Sequence, residues 1–69
     1  MKIQETETSV IIDCSEDQMV DLGVFMALRE MYGERALQQE RRMSIDLSSL
    51  RPAQIRREQD TIRFLLNNR

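Results

Sequence analysis

One run of seven apolar residues, Leu22-Gly-Val-Phe-Met-Ala-Leu28, constrains this sequence more than any other feature. The chain is 32% charged, and Asp21 and Arg29 flank the run closely. A membrane-spanning helix needs about 20 mostly apolar residues, so the run is too short for that role. It predicts instead the middle of a helix that must be covered on more than one side.

The apolar residues around this run fall into two stripes when they are placed on a helix of 3.6 residues per turn. One stripe contains Val20, Val24, Ala27, Leu28 and Met31, and the other contains Leu22, Phe25, Tyr32 and Ala36. A surface helix needs only one such stripe, so the second predicts contact with a second copy of the chain. The predicted dimer or partner interface consists of Leu22, Val24, Phe25, Leu28, Met31 and Tyr32.

The limits of this helix follow from capping and propensity. Ser15 and Gln18 fit a capping box, which predicts a helix start near residue 16. Residues 34–43 are almost all strong helix formers, so we expect the helix to continue to about residue 42, bent at Gly33. In the alternative reading, Gly33 lies just past the C-terminus of a shorter helix.

A short strand and a second helix complete the predicted fold. Residues 8–14 are rich in β-branched side chains and predict a strand, whereas residues 1–7 are a frayed end or a weak edge strand. The simplest partner for the strand is the same strand of a second subunit, unless residues 2–6 fold back on it. Pro52 predicts the first turn of an amphipathic helix. The apolar face of that helix contains Ile55, Ile62, Leu65 and Leu66. The expected fold is therefore mainly α, a single helical domain over residues 1–69 that resembles a helical hairpin.

The length and the residue types exclude several kinds of chemistry. Cys14 is the only cysteine and there is no histidine, so the 69 residues hold neither an internal disulfide nor a Cys/His zinc site. The lack of imidazole removes the commonest general acid–base group, and the two glycines form no phosphate loop. We expect neither an enzyme nor a cofactor or metal site. A chain this short is marginal as a monomer, which again favours a homodimer.

Charge is unevenly distributed along the chain. Residues 1–21 carry one lysine and six acids, a net charge of −5, and residues 22–69 carry nine arginines and six acids, a net charge of +3. Pairing between the acidic front and the basic back is the simplest interpretation. The alternative is nucleic-acid contact by Arg56, Arg57 and Arg63, which lie opposite the apolar face of the second helix.

Two hypotheses for function follow, and both place the protein in the cytoplasm, because no signal-peptide pattern is present. The first is a non-enzymatic helical module, dimeric, that acts as an adaptor, inhibitor or regulator by binding another protein. The second is a small DNA-binding transcriptional regulator. The order of one strand and two helices resembles that of ribbon-helix-helix regulators, although the acidic Glu5, Glu7 and Asp13 would then face phosphates.

Overall fold

The computed structural model describes residues 1–19 and 22–67 of the chain. These residues form a four-stranded sheet with two helices, and a 3₁₀ turn at Gly33–Arg35 separates the first helix from the third strand. In chain order, the elements are β1 (Lys2–Glu5), β2 (Ser9–Asp13), α1 (Gly23–Tyr32), β3 (Ala36–Gln39), β4 (Arg42–Asp46) and α2 (Pro52–Asn67). The strand order across the sheet is β1-β2-β4-β3, and every neighbouring pair is antiparallel.

One face of the sheet carries the core, because side chains alternate between the two faces of a strand. Val10 on β2 pairs with Ile45 on β4, which pairs in turn with Ala36 on β3, and all three are buried. Phe25 of α1 and Ile62 of α2 are fully buried in the same cluster. Both helices therefore cover this face, and the opposite face of the sheet remains open.

The predicted mainly α fold and its helical hairpin are wrong. Residues 36–39 and 42–46, placed in the long helix or in the loop after it, form the hairpin β3–β4 instead. Met43, Ile45 and Leu47 are all completely buried, and their spacing of two residues is that of a strand with one face in the core. Burial of this row stabilises the strand enough to override the helix propensity of the residues before it.

The predicted helix start near residue 16 is also wrong. Helix α1 begins at Gly23, and the N-cap residue Leu22 makes no side-chain capping bond. Residues 14–19 are not helical: the carboxylate of Asp13 accepts the backbone N–H of Ser15 at 2.9 Å, and the Asp17 carbonyl accepts from Arg41 at 2.7 Å. Val20 of the predicted apolar stripe lies outside the described residues, as does Asp21.

Glycine at position 33 ends α1, as the alternative reading required. Its backbone N–H bonds to the carbonyl of Arg29, and its φ of 58° with ψ of −127° lies in a region that side chains rarely allow. The chain then turns away from the helix axis into β3. A helix continuing through this point to residue 42 is therefore excluded.

Two predicted elements are confirmed. Strand β2 occupies the β-branched stretch, and β1 folds back on it as an edge strand, with Ile3 opposite Ile12. Its partners are β1 and β4 of the same chain, so the expected pairing of β2 with a second subunit is wrong. Helix α2 begins at Pro52 and buries Ile55, Ile62 and Leu66. Leu65, assigned to the same apolar face, is 38% exposed. No helix in the described part of the chain has the length and hydropathy that crossing a membrane requires.

Candidate interaction site

A hydrogen bond joins the two helices across the core face of the sheet. The hydroxyl of Tyr32, at the end of α1, donates to Oε2 of Glu58 in α2 at 2.7 Å. Burial of the phenol, followed by its bond to the carboxylate, raises the pKa of Tyr32 well above the ordinary tyrosine value. This bond holds the C-terminal end of α1 and the N-terminal half of α2 at a fixed separation.

A groove of about 270 Å³ opens above this bond, between the two helices. We call it the interhelix groove, and it is lined by Met31, Tyr32, Arg35, Leu50, Gln54, Arg57 and Glu58. Met31 is 53% exposed and Leu50 is half-buried, so the groove offers apolar surface to solvent. Its shape is open, and the surface can be reached without movement of either helix.

The charge of the interhelix groove is dominated by arginine. Arg35 and Arg57 line it, and among residues 1–19 and 22–67 neither has a carboxylate oxygen within 4.0 Å of its guanidinium. The carboxylate of Glu58 is the only acid in the lining, and it already accepts the Tyr32 hydroxyl. Two guanidinium groups beside exposed methionine are suited to a carboxylate-bearing ligand with an apolar side chain.

The predicted interface residues separate into three pairs by burial. Phe25 is 0% exposed and Leu28 is 1% exposed, and both contribute to the core of their own chain. Val24 and Tyr32 are half-buried against that core. Only the remaining two, Leu22 and Met31, present much side-chain surface to a partner.

The arginines of α2 differ in their local pairing. Arg63 binds Glu5 of β1 through both carboxylate oxygens and lies 3.5 Å from Asp60, so the sheet engages its guanidinium. This pairing with Glu5 raises the pKa of Arg63. Arg56 and Arg57 are both exposed, with no ion pair within the described residues, and Arg57 also lines the interhelix groove. The structure therefore does not bring the three side chains together as one free basic patch.

Sequence reasoning missed several residues of the interhelix groove, namely Arg35, Gln54 and Glu58. The helix prediction through residue 42 placed Arg35 on the surface of a continuous helix, which hid its approach to α2. Glu58 carried one usable signal, because it is an acid within the arginine-rich second helix. Its partner Tyr32, however, lies 26 positions earlier in the chain.

No cluster of three or more metal-binding side chains occurs among the residues that the structure describes. Comparisons of the chain with protein-family models, with curated proteins and with solved structures find no match.

Proposed function

We propose that this chain is a small non-enzymatic protein-interaction module, a homodimer that acts as an adaptor, inhibitor or regulator by binding another protein. The observation that carries the proposal is the interhelix groove, in which exposed Met31 lies beside the arginines Arg35 and Arg57. A flexible thioether adapts to different apolar partners, and guanidinium pairs add preference for acidic ones. The partner segment is therefore acidic and carries an apolar side chain.

The charge of the interhelix groove favours a different protein over a second copy as its occupant. A two-fold interface brings a surface against itself, so Arg35 and Arg57 would meet the same residues of the other copy. Like charges brought together in this way destabilise an interface. A partner that supplies carboxylates avoids this repulsion.

The test is a selection of displayed random peptides on the immobilised full-length chain, followed by fluorescence anisotropy with the enriched sequences. We expect peptides rich in aspartate and glutamate around one large apolar residue. Arg35→Glu combined with Arg57→Glu should weaken their binding by at least tenfold. Arg42→Glu, a single charge reversal on the open face of the sheet, is the matched control for each groove substitution made alone and should bind as the unmodified protein does.

Three results would overturn the assignment of the groove. Selection that enriches no sequence, or enriches basic or uncharged ones, contradicts the acidic partner. Equal losses for the groove variant and the Arg42→Glu control show a general charge effect. Binding that survives both groove substitutions assigns the contact to another surface.

DNA binding is the second candidate, and the exposure of Arg56 and Arg57 on α2 favours it. Each guanidinium that neutralises a phosphate releases counterions, so affinity should fall as salt rises. A gel shift at low salt that Arg56→Gln, Arg57→Gln and Arg63→Gln together abolish would support this function. The absence of any shift with the unmodified protein at low salt would remove it.

A further inference from the structure

Strand β3 is an edge of the sheet whose outer side is unprotected. Ala36–Gln39 contains no charged residue and no proline, the two features that commonly prevent an edge from pairing with another strand. Leu37 points to the open face and is 69% exposed. Within the described residues, the only strand that pairs with β3 is β4, on its inner side.

The opposite edge of the sheet is protected. Strand β1 carries Lys2 and Glu5, which are charged, and Glu5 is bound by Arg63 of the overlying helix α2. Gln59 of α2 also donates to the carbonyls of Thr6 and Ser9, at 2.7 and 3.3 Å, in the turn between β1 and β2. The contrast between the two edges assigns any strand addition to β3.

One flank of helix α1 lies beside the edge strand β3, and the two form a continuous surface. Met26 is 65% exposed and lies on the flank of α1 nearest Ala36, together with Arg29 and Glu30, and Glu34 of the following 3₁₀ turn adjoins them. This flank carries both signs of charge, unlike the interhelix groove. On a surface that carries both signs of charge, the acids of one copy can pair with the arginine of the other across a two-fold axis, as an interface between identical chains requires.

We propose that a second copy of this chain docks on this edge, with β3 pairing antiparallel to β3 of the other copy to form an eight-stranded sheet. The proposal deepens the homodimer that the proposed function contains, and it names the dimer surface. A register that pairs Leu37 with Leu37, or one shifted from it by two residues, keeps the helices of both copies on the same face of the sheet. It places the two Leu37 side chains directly or diagonally opposite each other on the open face.

The geometry of the two layers fits this arrangement. Helix α1 lies over the β3 side of the sheet, and neighbouring strands are about 4.8 Å apart. Because α1 contacts β3, extending the sheet across the two-fold axis would bring the two copies of α1 side by side above the joined strands. Met26 of each copy then lies between the helices, where its exposed surface is covered.

The test compares the mass of the full chain and of two charge variants by light scattering over a range of concentrations. The unmodified protein should be a dimer at tens of micromolar, and Leu37→Lys should shift the dissociation constant upward by at least tenfold. Gln4→Lys is the matched control, because Gln4, Ile11, Ser44 and Leu37 form one row across the open face, with Gln4 at the other edge. Circular dichroism should be unchanged in both variants, since both positions are exposed.

A crosslink keeps the proposal falsifiable if Leu37→Lys fails to fold. Under oxidation, Leu37→Cys should form a covalent dimer, whereas Gln4→Cys should remain monomeric on a denaturing gel. This interface is overturned if Leu37→Lys leaves the dimer intact and Leu37→Cys forms no crosslink. That outcome would not bear on peptide binding in the interhelix groove. A wild-type monomer at these concentrations overturns the homodimer as a whole, and the groove assignment still stands or falls on its own selection.

Discussion

The hydroxyl of Tyr32 and the carboxylate of Glu58 are 2.7 Å apart, and this bond joins α1 to α2 over the sheet. Burial of the Tyr32 phenol and its hydrogen bond to the Glu58 carboxylate both disfavour the tyrosinate form. The bond therefore links the geometry of the interhelix groove to a titration that can be measured directly, because Tyr32 is the only tyrosine in the chain.

Alkaline titration of the tyrosine absorbance should show a midpoint above the ordinary tyrosine value of about 10. A folded-state pKa above the unfolded value contributes stability below pH 10 that is lost as pH rises through the folded pKa. Glu58→Gln removes the negative charge while keeping an acceptor, so the midpoint should fall but stay raised, because burial persists. An unshifted midpoint in the unmodified, folded protein would contradict the Tyr32–Glu58 contact.

Substitutions at positions 33 and 40 should change the stability of the fold in opposite directions. Gly33 and Glu40 both have a positive φ, of 58° and 56°. Glycine adopts this backbone conformation without strain, whereas the side chain of glutamate makes it unfavourable. Gly33→Ala should therefore destabilise the fold by about 1–3 kcal/mol, even though no atom lies within 4 Å of the new methyl group.

The paired substitution, Glu40→Gly, should raise the melting temperature by a few degrees, because glycine removes the strain in the turn between β3 and β4. Thermal melts followed by circular dichroism measure both variants under the same conditions. A stabilising Gly33→Ala together with a destabilising Glu40→Gly would show that the chain does not turn at these two points.

Leu28 distinguishes the core of one chain from an interface between two. It is 1% exposed among residues of its own chain, so Leu28→Ala should lower the free energy of unfolding by about 2–5 kcal/mol. This loss of unfolding free energy should be the same at all protein concentrations, whereas the loss caused by removing a dimer contact would depend on concentration. Urea denaturation at two concentrations measures it, with the exposed Met31→Ala as a control expected within about 0.5 kcal/mol of the unmodified protein.

Asp46 makes stability depend on acid pH. Its carboxylate accepts the backbone N–H of Ser48 at 3.0 Å where the chain leaves β4, and this bond lowers the pKa of Asp46. A depressed folded-state pKa contributes stability that is present above the unfolded value of about 3.9 and is lost as pH falls through the folded pKa. Asp46→Ala should melt at a lower temperature than the unmodified protein at pH 7, and the difference should shrink below pH 4.

The sequence by itself determined the elements whose signal is local. Pro52 and the apolar residues Ile55 and Ile62 predicted α2, and the β-branched stretch predicted β2, because turn geometry and side-chain periodicity act within a few residues. Gly33 also indicated the end of a helix, although only as the alternative to a helix that continued to about residue 42. The exposed Met31 and Arg57 of the interhelix groove were singled out as well, but as parts of two unrelated surfaces.

Only the tertiary structure decided the fate of residues 34–46 and, with it, the composition of the site. Locally these residues favour a helix, but in the fold Ile45 pairs with Val10 across the sheet and both are buried in one cluster with Phe25. That contact joins residues far apart in the chain, so no local pattern reports its free energy. Phe25 of the second apolar stripe is buried in the core of its own chain, where a second copy of the chain was expected, and the same rearrangement brought Arg35 beside α2.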